Sequence, residues 1–418
     1  MEQKSEPIFG NMAVLVINSL NRNTLNIAKS EKRQVIRLSR YEDTLFEQGH
    51  ISNHILKNRY IVGPMTRVSS DEDGTPNERV HQYYKRFAAG GFSAVITEGI
   101  YPDTAYSQGY EYQAGLATER HKEAWKPIVA DVQTHGAKMI AQLMHAGAQS
   151  QGNYYKDQSV GPSPFQPPSD KVSVYGGQGA FPVSEELSKE GIEEVKRGFV
   201  QSAIFAKDAG FDGVELHGAN GYLLDQFLSE TINVRQDEYG GSVENRLRLL
   251  LELIREVRAA VGENMILGIR ISQLKATNPD FRWSGGEEDA RIIFTALGQS
   301  NVDYIHLSDD DATTPGFGKE TMTMTEAARR FSNVPIITCG SLADPEKAST
   351  LIENNVADFI AIARQALANP DTPLRVQQGL PLSEFNKEGI MLPKAYIKDF
   401  ELEQEIIEGK EGLSQQDR

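Results

Sequence analysis

From about residue 60 to residue 365, short runs rich in β-branched residues alternate with amphipathic stretches, and this alternation is the signature of helices wrapped round a parallel sheet. The runs are Tyr60–Thr66, Ser93–Glu98, Lys138–His145, Asp212–His217, Met265–Ser272, Asp303–Ser308, Val334–Cys339 and Asp358–Ala363. Several are almost continuously apolar, as strands buried on both faces are. Between them the period becomes helical. After Gly240-Gly241, residues Val243, Leu247, Leu250, Ile254, Val257 and Val261 recur at steps of four and three, with Ser242 placed to cap the helix. Ile192, Val195, Phe199, Ala203 and Ala206 mark a second helix stopped by Gly210, and Glu119 to His135 reads the same way. Eight βα units predict a (β/α)8 TIM barrel, one of the few single folds large enough for most of 418 residues. The open doubly wound sheet competes, but no G-x-G-x-x-G follows the first strand, so its dinucleotide fingerprint is missing.

Two segments exceed a minimal barrel. Gln149 to Ser184 is rich in Gly, Pro and Ser and separates the third strand from its helix. It leaves the C-terminal end of a barrel strand, where barrel active sites lie, and is expected to act as a lid. The polar N-terminal stretch lacks strong periodicity. The expected organisation is an N-terminal extension over 1–44, the barrel over 45–382 and a C-terminal tail over 383–418.

Composition narrows the function. Lys+Arg 43 against Asp+Glu 58 gives a net charge of −15, so no basic field attracts nucleic acid or anionic lipid, and any phosphate must be gripped locally. The single cysteine, Cys339, excludes an intrachain disulfide, a thiolate zinc site and an iron–sulfur cluster, and fits a reducing compartment. No apolar run reaches membrane-spanning length and no basic leader precedes Met12 to Ile17, so a cytoplasmic location is expected.

Polar residues at the C-terminal ends of barrel strands are the ones positioned for chemistry: Thr66, Gln142, His145, His217, Arg270 and the run Asp309 to Asp311. After the seventh and eighth strands, where barrels commonly hold phosphate, stand Gly340-Ser341 and Ala363-Arg364. Gly340 would let backbone N–H groups approach an anion and Arg364 would offer a fork of donors, although a turn glycine and a surface ion pair are the ordinary alternatives. In Gly213 to Leu228, His217 ends a strand while Asn220 and Tyr222 follow in a Gly-containing loop. His and Asn can donate together to one developing oxyanion and a phenol can supply a proton, which suits enolate chemistry. A lone structural histidine is the plainer alternative.

These residues carry a resemblance. The chain resembles the Old Yellow Enzyme family of FMN-dependent NADH:flavin oxidoreductases from about Leu45 to Leu382. The motifs are Lys57-Asn-Arg-Tyr-Ile-Val-Gly-Pro-Met-Thr-Arg67, Gln142-Leu-Met-His-Ala-Gly147, the His217 to Leu228 run, Asp237 to Arg246, and the Gly340/Arg364 pair in order. The resemblance implies FMN across the barrel mouth, its phosphate on Gly340, Ser341 and Arg364 beside Ala363. Pro64, Met65 and Thr66 would border the flavin, Gln142 would read its ring edge, and Arg270 would face the N1/O2 side. It further implies that His217 and Asn220 hold a carbonyl or nitro oxygen, that Tyr222 protonates the α-carbon, and that NADH or NADPH is the reductant, with anti-type delivery.

Met144 stands where yeast-like members often place Trp, and no aromatic counterpart is evident after Gly379, so substrate preference does not transfer. The acidic turn Asp237 to Arg246 is read as structural. Searches for H-E-x-x-H, G-x-S-x-G and the P-loop motif fail, and no metal site is expected from His50 and His54 or from the Asp run. The expected partner is a small-molecule substrate, with self-association open. A barrel lyase or aldolase, and a flavin-binding protein without turnover, are the rival readings.

Overall fold

The computed structural model describes residues 44–409. The eight expected strands are present and form a closed parallel barrel: Tyr60–Val62, Ala94–Ile96, Lys138–Leu143, Gly213–Asn220, Ile266–Lys275, Tyr304–Ser308, Ile336–Cys339 and Phe359–Ile362, called first to eighth below. Each neighbours the next in chain order, and the eighth pairs with the first. The first strand is shorter than its apolar run because Pro64 has no N–H to extend the ladder. The fourth and fifth run longer, since beyond an irregularity between Gly218 and Asn220 the pairing resumes at Asn220 with Lys275.

The helices follow their periodicity. Glu119–Thr134 is capped by Thr118, and Lys189–Ala209 starts at Ser188 and ends at Gly210 with φ 90°, a left-handed cap that glycine adopts freely. Ser242 caps Val243–Arg246, which continues through Leu247 into Arg248–Val261, and all six periodic apolar residues of that stretch are buried. Inside the barrel, Ile61, Ala94, Ile96, Ile140, Ile266, Tyr304, Ile337, Phe359 and Ala361 form one apolar cluster. Ile51 and Leu56 join it from a hairpin, Gly49–Ile51 with His54–Leu56, so His50 and His54 lie on strands rather than a helix.

The segment 149–184 contributes Val160–Gly161, which pairs with Glu185–Glu186, and places Val172 and Tyr175 at the barrel mouth. Residues 383–409 pack back on the barrel instead of trailing from it. Ala395 and Ile397 are fully buried, and Arg67 reaches into this segment with Nη2 2.6 Å from Glu401 Oε1 and Nε donating to Ala395 O at 2.9 Å. The acidic turn is structural: Asn233 Nδ2 donates to Phe227 O and Tyr239 O, while Arg246 donates to Leu228 O and Gly241 O. Residues 1–43 of the expected N-terminal extension lie outside the described residues, as do 410–418 of the tail. Among the described residues no helix is long and apolar enough to cross a membrane.

Candidate active site

A cavity of about 730 Å³ opens at the C-terminal ends of the strands, within the range of small-molecule and cofactor sites. Ten of the residues singled out from the sequence line it: Pro64, Met65, Thr66, Gln142, His217, Asn220, Tyr222, Arg270, Ala363 and Arg364. Gly340 and Ser341 are not among its lining residues. They form the turn after the seventh strand with φ 125° and 53°, and Ser341 Oγ donates to Asp310 O at 2.9 Å. His145 also stays out of the cavity, its Nδ1 accepting from Gly147 N–H. Asp311 is held by Lys347 at 2.8 Å, and among the described residues no group of three or more His, Cys, Asp or Glu could hold a metal ion.

The strands aim these side chains inward. His217 sits opposite Arg270 in the ladder, and Gln142 opposite Glu215. Asn220 ends the fourth strand with φ 60°, a left-handed conformation that Asn tolerates better than most residues, and its N–H donates to Ser272 Oγ at 2.8 Å. Gly221 N–H donates to Asp225 Oδ2 at 2.6 Å and Gln226 Nε2 donates to Gly221 O at 2.7 Å. Asp225 is in turn paired with Lys275 Nζ at 2.7 Å, both side chains being buried. The backbone between Asn220 and Tyr222 is therefore clamped on both sides, which fixes the two side chains relative to His217.

His217 is 3% exposed and its Nδ1 has no hydrogen-bond partner among the described residues; Asn220 Oδ1 and Arg270 Nε are likewise buried and unpartnered. Buried polar atoms are ordinarily satisfied, so three orphans round one cavity mark the place of a polar ligand. Burial, with the nearby charges of Arg270 and His306, pushes His217 well below the usual imidazole range, so it is neutral at pH 7 and carries one N–H. Burial pushes Tyr222 above the ordinary phenol value, against the opposing hydrogen bond from Tyr110, and keeps its proton in place. The His217 and Tyr222 rings lie 5.1 Å apart.

Residues missed in the sequence complete the walls. Tyr110 places its hydroxyl 2.5 Å from that of Tyr222 and its ring 4.8 Å from that of Tyr175. Phe385, Lys387 and Met391 arrive from the C-terminal segment, where no aromatic counterpart had been evident. They sit outside the βα pattern, and no periodic signal marks them. Met144 lines the cavity packed on Gly99, where a Cβ would stand 2.5 Å from its sulfur.

Apolar walls, a floor donor at Arg270, an amide at Gln142 and a guanidinium at Arg364 fit a flat, polar-edged, phosphate-bearing cofactor. Comparison with known proteins agrees. Residues 44–383 match the NADH:flavin oxidoreductase / NADH oxidase family. The chain is 33% identical over 352 residues to an NADH oxidase of Thermoanaerobacter brockii, covering 80% of this chain and 51% of that protein, so it spans about half the length of this relative. It is 32% identical over 340 residues to 12-oxophytodienoate reductase 2 of Arabidopsis thaliana, covering 79% and 88%. The structure of an Old Yellow Enzyme homologue from Zymomonas mobilis superposes with a TM-score of 0.77 at 29% identity, covering 85% of this chain and 99% of the other. The chain belongs to the NADH:flavin oxidoreductase / NADH oxidase family, that of Old Yellow Enzyme. It is an NAD(P)H-dependent flavin oxidoreductase whose cofactor is FMN.

Proposed function

We propose that the protein reduces an electron-poor alkene, an α,β-unsaturated carbonyl or nitro compound, at the cavity floored by Gln142 and Arg270. Bound there, FMN would supply the hydride transfer from the nicotinamide to the alkene β-carbon. The observation that carries the reading is the convergence of a neutral His217, an Asn220 and a protonated Tyr222 on one partly apolar cavity. His217 and Asn220 donate to the substrate oxygen and stabilise the negative charge that grows there as the β-carbon is attacked. Tyr222 holds its proton for the α-carbon, and Tyr110 fixes the direction of that hydroxyl.

Pro64, Met65, Thr66, Gln142, Arg270, Ala363 and Arg364 are proposed to hold the cofactor, with the turn at Gly340 and Ser341 as the neighbouring backbone for its phosphate. Val172 and Tyr175, from the long segment after the third strand, cover the mouth and exclude water. One relative supports the substrate class by name, a 12-oxophytodienoate reductase, and another, an NADH oxidase, supports the nicotinamide step.

The test is a visible spectrum of the purified protein, aerobic first, then under nitrogen with NADH or NADPH, then with excess cyclohexenone. Yellow bands that bleach and return are expected. A protein that stays colourless after FMN reconstitution, or yellow bands that cyclohexenone does not restore, would overturn the reading.

A further inference from the structure

The charges of the cavity are one-sided. Arg67, Arg270, Arg364 and Lys387 line it and no aspartate or glutamate does, in a chain whose net charge is −15. Arg67 is paired with Glu401, and Arg270 and Arg364 are proposed above to hold the cofactor. Lys387 is exposed and, among the described residues, its ammonium has no ion pair or hydrogen bond. It is a cation beyond those the FMN assignment uses.

Two more lysines stand at the same mouth. Half-buried Lys171 immediately precedes Val172, which lines the cavity with Tyr175, and a Cβ on Gly177 would stand 2.6 Å from Lys171 Cβ. Exposed Lys394 comes from the C-terminal segment, where Ala395 N–H donates to Val174 O at 2.8 Å, and a Cβ on Gly176 would stand 3.8 Å from Lys394 Nζ. Lys171 and Lys394 therefore flank one turn, that of residues 172–177. Its partner segment is fixed: Arg67 Nε donates to Ala395 O, and Lys398 Nζ donates to the carbonyls of Ile390, Lys394 and Tyr396. Lys171 and Lys394, like Lys387, have no ion pair among the described residues, and their acidic neighbours in the chain, Asp170 and Glu388, pair with none of the three.

A strongly acidic chain repels a polyanion at long range, so a nicotinamide dinucleotide must be drawn in by a local field of the opposite sign. A nicotinamide ring that enters the cavity leaves its pyrophosphate, one ribose away, at the rim. We propose that Lys171, Lys387 and Lys394 form a phosphate-docking rim for the nicotinamide dinucleotide, and that the rim favours NADPH over NADH through the additional phosphate. This rests on the reading that FMN occupies the same cavity. Lysine suits the task, because a flexible point charge holds a phosphate without the fixed fork of arginine, and the dinucleotide must leave before the alkene enters. A carboxylate carried by the alkene would offer the rim the same chemistry, and the two sources are told apart by half-reaction.

The test uses the FMN-loaded enzyme, its Lys387→Glu variant and the double variant Lys171→Glu/Lys394→Glu. Anaerobic stopped-flow gives the apparent Kd of NADPH and of NADH in the reductive half-reaction at several salt concentrations. At low salt each variant is expected to raise the NADPH value about tenfold and the NADH value less, and to flatten the salt dependence. Lys171 and Lys394 lie outside the cavity lining, so the double variant is expected to be reoxidised by uncharged cyclohexenone at the wild-type rate. FMN affinity, read by flavin fluorescence, is expected to hold. An NADPH Kd that neither variant changes overturns the proposal, and equal losses for the two nucleotides overturn the NADPH preference. A fall in FMN affinity would give the lysines to the cofactor phosphate instead, and a loss confined to reoxidation by the acidic enone 4-oxopent-2-enoate would give them to the alkene; either overturns the rim. A wild-type chain that takes up no FMN refutes the cofactor assignment separately.

Discussion

The two ends of this barrel treat their polar groups in opposite ways. At the N-terminal end, Asp212, Asp303 and Asp358 precede the fourth, sixth and eighth strands and repeat one arrangement. Each donates its N–H to the carbonyl of Met139, Leu267 or Ile336, and its carboxylate accepts the N–H of that same residue. Each carboxylate also binds a cation: Lys138 for Asp212, Arg258 for Asp303 and Arg329 for Asp358. At the C-terminal end, His217 Nδ1, Asn220 Oδ1 and Arg270 Nε are buried with no hydrogen-bond partner among the described residues. At one end the three aspartates are satisfied within the chain and serve stability; at the other, donors and acceptors are kept in reserve for a ligand, at a cost in folding free energy. The barrel separates the two demands by the length of its strands.

Substitutions should divide along the same line. His217→Ala or Asn220→Ala removes a donor to the substrate oxygen and is expected to slow alkene reduction by about 10²–10³ while bound flavin is retained, as measured by single-turnover reoxidation. Tyr222→Phe is expected to cost on the order of 10² in the same step, with reduction by nicotinamide unchanged. Asp303→Asn, at the other end, should lower stability by about 1.5–3 kcal/mol, visible as a lower urea midpoint, with turnover per bound FMN unaffected. If Asp303→Asn instead cut turnover in the folded enzyme, the division would fail.

The acidity of the site gives a finer test. Because the protein holds His217 below the imidazole range, the neutral donor persists as pH falls through 6.5, and protonation sets in only further into acid. Alkene reoxidation should show no His217-dependent limb near pH 6.5, which a pH profile of wild type against His217→Asn would check. Smallest of all, Tyr110→Phe should slow the step only several-fold, since Tyr222 keeps its hydroxyl and loses a directional partner.

Much of the barrel was legible because its strands are apolar runs buried on both faces, and its helices carry unbroken stripes such as Val243 to Val261. The strand-end residues followed from the fold, since a barrel places them at one mouth. What escaped was long-range. Tyr110 meets Tyr222 across the cavity, and Phe385 and Met391 arrive from a segment with no period to announce them. Asp212, Asp303 and Asp358 stood at the head of three expected strands, but an aspartate before a strand is common and its clamp depends on register between neighbours. Gly340 and Ser341 were selected by position, and their turn is not part of the lining.

His217 and Asn220 are proposed to serve the substrate and not the nicotinamide step or the fold. Anaerobic stopped-flow on wild type and the double variant His217→Ala/Asn220→Ala, both loaded with FMN, measures the two half-reactions apart. NADH or NADPH is expected still to bleach the variant, with at most a modest loss of rate, while reoxidation by cyclohexenone falls by at least about 10². Reoxidation at the wild-type rate would contradict it.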